Sequence, residues 1–190
     1  MRIVEHAVAL VPHPALPAGE IRAVTVRVRR SPDGALALAY RVEGEIAGIR
    51  IPPARNPASV RDLWKHTCLE AFVGVEGEGG YHELNFSPSG EWTLYALRSY
   101  RDGEGLDDER LAPRIAVRTD RDRLELDAAV SLHHLCAGYR DAALRLGLAA
   151  VIEAVDGSLA YWALRHPAVE PDFHHRDAFA LAVEAPRGEC

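Results

Sequence analysis

Leu63 to Arg101, LWKHTCLEAFVGVEGEGGYHELNFSPSGEWTLYALRSYR, holds two of the three tryptophans and the only lysine, Lys65. It divides into three runs with the two-residue alternation of β-strands. In Thr67 to Val75, Leu69, Ala71 and Val73 share one parity, and Cys68, Glu70 and Phe72 the other. Glu70 therefore does not fall on a plainly solvated face. In Tyr81 to Ser87, His82, Leu84 and Phe86 form one side, while Tyr81, Glu83, Asn85 and Ser87 form a polar, hydrogen-bonding one. Trp92 to Tyr100 is entered through Ser87-Pro88-Ser89-Gly90, where proline presets φ and glycine tolerates φ > 0. The stretch reads as consecutive antiparallel strands that display carboxylates, an amide and aromatic rings side by side.

On the N-terminal side, Val4 to Val11 forms an opening strand stopped by Pro12, Pro14 and Pro17. Ile21 to Arg30 alternates Val24, Val26 and Val28 with Thr25, Arg27 and Arg29, and a Ser31-Pro32-Asp33-Gly34 turn leads into Leu36, Leu38, Tyr40 and Val42, a clear hairpin. Ile46 to Ile51 is expected to add a strand, and Pro52, Pro53, Asn56 and Pro57 to impose a loop. On the C-terminal side, the acidic, glycine-containing segment Asp102 to Arg110 reads as an exposed loop, followed by strands at Arg114 to Arg118 and Arg123 to Val130. The spacing of Leu132, Leu135, Tyr139, Ala142, Ala143 and Leu146 predicts a short helical excursion over 131–146, with Ser131 as N-cap and Gly147 as its end. Strands over Leu148 to Val155, Leu159 to Leu164 and Ala178 to Val183 close the chain, and Pro186 to Cys190 is expected to fray. Short strands joined by turn residues indicate an all-β fold, an antiparallel β-sandwich of jelly-roll or immunoglobulin-like architecture.

With 190 residues, 48% of them hydrophobic, the chain can bury a substantial core and is expected to form one domain over 1–190. A net charge of −6 argues against nucleic acid as a partner. Arginine outnumbers lysine 21 to one, which fits the coding composition of a bacterial genome, with arginines on solvated faces. Met1 to Leu10 contains Arg2, Glu5 and His6 and lacks the pattern of a secretory signal, and no apolar run reaches the roughly 18 residues of a membrane span. A cytoplasmic protein without membrane contact is expected. Cys68, Cys136 and Cys190 lack paired spacing and read as free thiols.

Trp64, Trp92 and Trp162 are the first candidates for function, since indoles stack on the C–H faces of a sugar while neighbouring polar groups read its hydroxyls. Packing in the core is the plainer role for all three. Trp64 stands out because it sits at a junction between a proline-rich loop and a strand. Glu70, in an apolar run, must be paired or lose its charge, and Arg98 or Arg165 could serve as partner, either structurally or within a site. The histidines show no HxH, HxxxH or HExxH pattern, so no metal site is expected. No GxSxG surrounds a serine, and no GxGxxG or GxxxxGK[ST] occurs, so neither a hydrolase triad nor a nucleotide cofactor is indicated. Glu70 and Glu83 could also act as a general acid and base with His82, His166 or His174.

Three groups of residues resemble the DOMON-like proteins related to carbohydrate-binding module family 9: Leu63 to Phe72; Tyr81 to Trp92; and Tyr161-Trp162-Ala163-Leu164 with Pro171-Asp172-Phe173-His174. The resemblance implies a ligand-binding sandwich. In sugar-binding members a saccharide is clamped between tryptophans above an acid and an arginine, positions that correspond to Trp64 and Glu70, with Trp162 and Arg98 as further counterparts. In haem-binding members a methionine and a histidine hold the iron, whereas the only methionine here is Met1. The resulting expectation is a non-catalytic domain, without cofactor, that binds a small sugar or sugar-like metabolite through Trp64, Glu70, Glu83, Asn85, Trp92, Arg98 and Trp162. The alternatives are a sugar-processing enzyme using the paired glutamates with a histidine, and a protein-interaction surface. Oligomeric state is left open.

Overall fold

Among the described residues, 3–53 and 60–185 of the computed structural model, the alternating runs form twelve strands: β1 (Val4–Pro12), β2 (Ile21–Arg30), β3 (Ala35–Gly44), β4 (Cys68–Val75), β5 (Tyr81–Phe86), β6 (Trp92–Ser99), β7 (Asp102–Leu106), β8 (Arg114–Thr119), β9 (Arg123–Ser131), β10 (Leu144–Glu153), β11 (Leu159–Ala163) and β12 (Leu181–Val183). All pairings are antiparallel, in the order β7-β6-β5-β4-β10-β11-β1-β2-β3-β9-β8, with β12 beside the start of β10. The path folds into two layers. One contains β1, β2, β3, β9 and β8, and the other contains β7, β6, β5, β4, β10 and β11. Strand β1 belongs to both: Val4 to Leu10 pair with β2, while Val11 and Pro12 pair with Ala163 and Trp162 of β11.

The layers pack through a continuous apolar core. Val24, Val26, Val28, Leu36 and Leu38 from one sheet meet Leu69, Ala71, Val73, Leu84, Phe86 and Leu94 from the other. Each such side chain contributes about 1.5–3 kcal/mol when fully buried. Tyr40 crosses the interface, its hydroxyl donating to the Glu70 carbonyl at 2.6 Å. The result is an antiparallel β-sandwich with little helix.

Arg30 departs from the expectation of solvated arginines. It continues the inward parity of Val24, Val26 and Val28, and its side chain is fully buried at the end of β2. Its guanidinium donates to the carbonyls of Tyr139 (2.6 Å), Ala142 (2.8 Å), Glu184 (2.9 Å) and Arg140 (3.1 Å). These carbonyls lie in the irregular stretch before β10 and just after β12, and the guanidinium supplies them with donors.

Three expected elements differ. The helical excursion contracts to one turn, α1 (Leu132–Leu135), and a 3-10 turn over Ala137–Arg140, because Leu144 already begins β10. Ser131 does not cap that turn with its side chain, and Gly147 lies within β10 against Phe72. Ile46–Gly48 is a 3-10 turn, with only Ile49 bridged to Ala154. Asp102–Leu106 is an edge strand: the β6 ladder supplies the pairing that its acidic, glycine-rich composition disguises. The expected loop through Asn56 and Pro57, the tail Pro186 to Cys190 and the Cys190 thiol lie outside the described residues. Cys68 and Cys136 are free thiols, the first buried and the second exposed.

Candidate functional site

The outer face of the second sheet carries the site. Strand parity turns Cys68, Glu70 and Phe72 of β4 to this side, with Tyr81, Glu83 and Asn85 of β5, Tyr95 and Leu97 of β6, Val151 of β10 and Tyr161 of β11. Register brings them together: Glu70 lies opposite Asn85, Phe72 opposite Glu83, Glu83 opposite Tyr95, and Val151 opposite Tyr161. The segment after β11 folds back over part of this face, where Phe173 packs against Phe72 and Tyr161 with ring centroids 6.4 and 6.2 Å apart. What stays uncovered is a cavity of about 560 Å³ whose lining includes Trp64, Glu70, Glu83, Tyr95, Tyr161 and His174. That volume falls within the range of small-molecule sites.

Trp64 is held at the rim by a 3-10 turn, Leu63–Lys65, that precedes β4. The turn starts from Asp62 in the left-handed region (φ 64°), buries Leu63 and leaves Trp64 47% exposed. Lys65 pairs with Asp62 at 3.0 Å and lies 5.3 Å from the centre of the indole. Glu153, buried below, receives both Arg50 (2.9 Å) and His66 (2.8 Å), and Thr67 bonds the Arg50 carbonyl and the Glu153 amide. These contacts tie the turn to β10, so the indole projects from a braced support.

The floor is acidic. Glu70 is 2% exposed and Glu83 7%. Burial raises the Glu70 carboxyl well above its ordinary value, and the nearby Glu83 raises it further, with Arg101 opposing. Burial also raises Glu83, against the opposing effect of the Asn85 amide, which donates to Glu83 Oε1 at 2.7 Å. Glu70 Oε1 has no hydrogen-bond partner among the described residues. Burial pushes the Cys68 thiol well up, and its Sγ lies 3.7 Å from Asn85 Oδ1, so it is a poor nucleophile. His174 stands at the cavity wall, its Nδ1 2.8 Å from the Tyr81 hydroxyl and its Nε2 3.6 Å from Glu83 Oε2. Burial, aided by Arg101, lowers it to about 4.

Trp64, Glu70 and Glu83 thus meet at one cavity, and Asn85 lies behind Glu83 as its hydrogen-bond donor. The other expected residues lie elsewhere. Trp92 and Trp162, each 4% exposed, share the inward parity and belong to the sandwich core. Arg98 is exposed and paired with Asp102 at 3.2 Å, while Arg165 is also exposed, so neither is the expected partner of Glu70. His82 faces away and bonds the Tyr139 hydroxyl at 2.7 Å, and His166 bonds the Val11 carbonyl at 2.9 Å. The arginine at the cavity is Arg101, which follows β6 with φ 55°. Its amide donates to the Tyr81 hydroxyl (3.2 Å) and its Nη2 pairs with Asp172 (3.1 Å). Tyr95 and Tyr161 were also missed, although each shares the parity of the acids across the ladder.

A larger hollow of about 750 Å³ lies beyond His174, bounded by the turn over Glu76 to Gly80 and by Arg145, Arg165 and Arg176. It contains neither glutamate of the floor. Among the described residues, no three His, Cys, Asp or Glu side chains are grouped to hold a metal ion.

No protein-family model matches the chain. No curated protein matches it either. Solved structures do. A protein of Bacteroides uniformis, provisionally described as carbohydrate-binding, superimposes with a TM-score of 0.69 at 14% identity over 89% of this chain and 81% of that one. A carbohydrate-binding module of family 9 from Caldicellulosiruptor kristjanssonii, solved with cellotriose, gives 0.51 at 9% identity over 94% and 77%. The chain has the sandwich fold of family 9 carbohydrate-binding modules.

Proposed function

We propose that this domain binds a small sugar in the cavity beneath Trp64 and does no chemistry on it. The observation that carries this reading is the combination at one place of an exposed, braced indole and a buried carboxylate whose Oε1 has no internal partner. An aromatic face can cover the apolar side of a pyranose, contributing about 25 cal/mol for each Å² of apolar surface removed from water. Glu70 and Glu83 then offer oxygens to its hydroxyls, and Tyr95 and Tyr161 close the sides. The family 9 likeness in fold supports the reading. Because the indole borders a concavity and is not part of a flat apolar patch, a protein-docking role is less well supported.

The test is titration of the purified protein with mono- and disaccharides, followed by tryptophan fluorescence and thermal shift. A saturable response to a sugar, absent in Trp64→Ala, is the expected outcome. Silence toward every saccharide would overturn the proposal. A second reading, acid–base catalysis on a glycoside, rests on the raised pair Glu70 and Glu83 beside His174. Release of chromophore from aryl glycosides, lost in both Glu70→Gln and Glu83→Gln, would establish it in place of the first.

A further inference from the structure

Among the described residues the cavity is lined by more acidic groups than basic ones. Of these lining residues, Glu70, Glu83 and Glu170 face a single guanidinium, that of Arg101, while the Lys65 ammonium at the rim is paired with Asp62. Arg101 is already engaged: its Nη2 pairs with Asp172 at 3.1 Å and its Nε donates to the Tyr100 hydroxyl at 3.2 Å. His174 supplies no cation at neutral pH, since burial keeps its imidazole uncharged.

The two deepest acids are also incompletely satisfied. Asn85 serves Glu83 Oε1, whereas Glu83 Oε2 has only the imidazole at 3.6 Å, beyond hydrogen-bond distance. Glu70, almost fully buried and lining the same cavity, leaves Oε1 without any partner among the described residues. A buried carboxylate in that position takes up a proton or acquires a cation from outside. Trp64, Tyr95 and Tyr161 line the same cavity, and an aromatic ring that presents its face to a ligand favours a cation.

We infer that the preferred ligand is an amino sugar with a free, protonated amine, and that Glu70 and Glu83 together are the counter-ion for its ammonium group. This rests on the sugar-binding reading of the cavity and narrows it. The ammonium offers three N–H donors, enough to bond an oxygen of the Glu70 carboxylate and Glu83 Oε2 at once. A neutral hexose offers the same site hydroxyls only and leaves the acids without a counter-charge. An N-acetylated hexosamine loses the charge and adds bulk where the acids converge.

Isothermal titration of the full chain near neutral pH with glucosamine, glucose, N-acetylglucosamine and cyclohexylamine tests the inference. Glucosamine is expected to bind at least about tenfold more tightly than glucose, a difference of ~1.4 kcal/mol, with N-acetylglucosamine weaker than both. Glu70→Gln and Glu83→Gln, each checked by its melting curve to be folded, are expected to abolish the preference. Glucose binding as well as glucosamine would overturn the inference and leave the sugar-binding reading standing. Cyclohexylamine binding as well as glucosamine would overturn the assignment to amino sugars. If no saccharide binds, both readings fall.

Discussion

Nε2 of His174 lies 3.6 Å from Oε2 of Glu83 at the cavity wall, with both side chains largely buried. Burial drives the two in opposite directions, lowering the imidazole to about 4 and raising the carboxyl above its usual range. The two kinds of group should therefore pull stability in opposite directions over the same pH range above 4.5. His174 binds a proton more readily in the unfolded chain, where its value is 6.5, so its contribution is full above that pH and drains away as pH falls toward 4. The loss amounts to about 3 kcal/mol at most, at ~1.36 kcal/mol per pH unit. Glu70 and Glu83 hold their protons more firmly when folded. Their contribution is full below 4.5 and is lost as pH rises through their raised values. Urea unfolding across this range should show Glu70→Gln shifting the slope of stability against pH toward positive and His174→Gln shifting it toward negative, each relative to the wild type. Variants that keep the wild-type dependence on pH from about 4 to 8 would contradict the assignment.

The three tryptophans should separate cleanly. Trp64→Ala removes a half-exposed side chain and is expected to change stability by no more than about 0.5 kcal/mol, while weakening ligand binding at least ~tenfold. Trp92→Ala empties part of the sandwich core and should cost about 3–5 kcal/mol. Parallel thermal melts and ligand titrations of the two variants distinguish a wall of the site from a member of the core.

Arg30→Met should be among the most damaging substitutions far from the cavity. It strips donors from the carbonyls of Tyr139, Arg140, Ala142 and Glu184, and the buried one, that of Tyr139, costs about 1–3 kcal/mol when left unsatisfied. Arg30→Lys is expected to recover only part of the loss, because an ammonium has fewer donors and no planar fork. Denaturant unfolding of both variants provides the comparison.

The two glycines of β7 should behave differently although they are two residues apart. A Cβ at Gly103 would overlap the Ala96 carbonyl and crowd the Leu97 backbone. Gly103→Ala is therefore expected to cost about 1–3 kcal/mol and to loosen the edge strand, visible as faster amide exchange over Asp102–Leu106. At Gly105 a Cβ meets the Tyr95 ring at 3.6 Å and the Leu94 carbonyl at 4.0 Å, both ordinary contacts, and Gly105→Ala should be tolerated.

What could be read in advance followed parity. The alternation of β4 and β5 put Glu70, Glu83 and Asn85 on one face, and the loop-to-strand junction singled out Trp64. The same rule, continued along β6, would have sent Trp92 inward with Leu94 and brought Tyr95 to the acids. Residue type, in this case the attraction of a tryptophan for a sugar site, outweighed periodicity there and misled. Arg101 had no periodic signal at all, since its position depends on a single left-handed residue between two strands. The edge strand β7 was hidden because composition reports solvent exposure, whereas pairing with β6 depends on a neighbour that the local sequence does not reveal.

Strand β1 holds a different kind of information. Its first part is hydrogen-bonded into one sheet, and its last residues clasp β11 of the other, where the His13 amide also donates to the Tyr161 carbonyl at 2.8 Å. Tyr161 is a wall of the cavity. The opening segment, remote in sequence from every residue expected to touch a ligand, is therefore the outer buttress of that wall: a change that unfastens Val11 to His13 would be felt as a slackened pocket before it was felt as a lost fold.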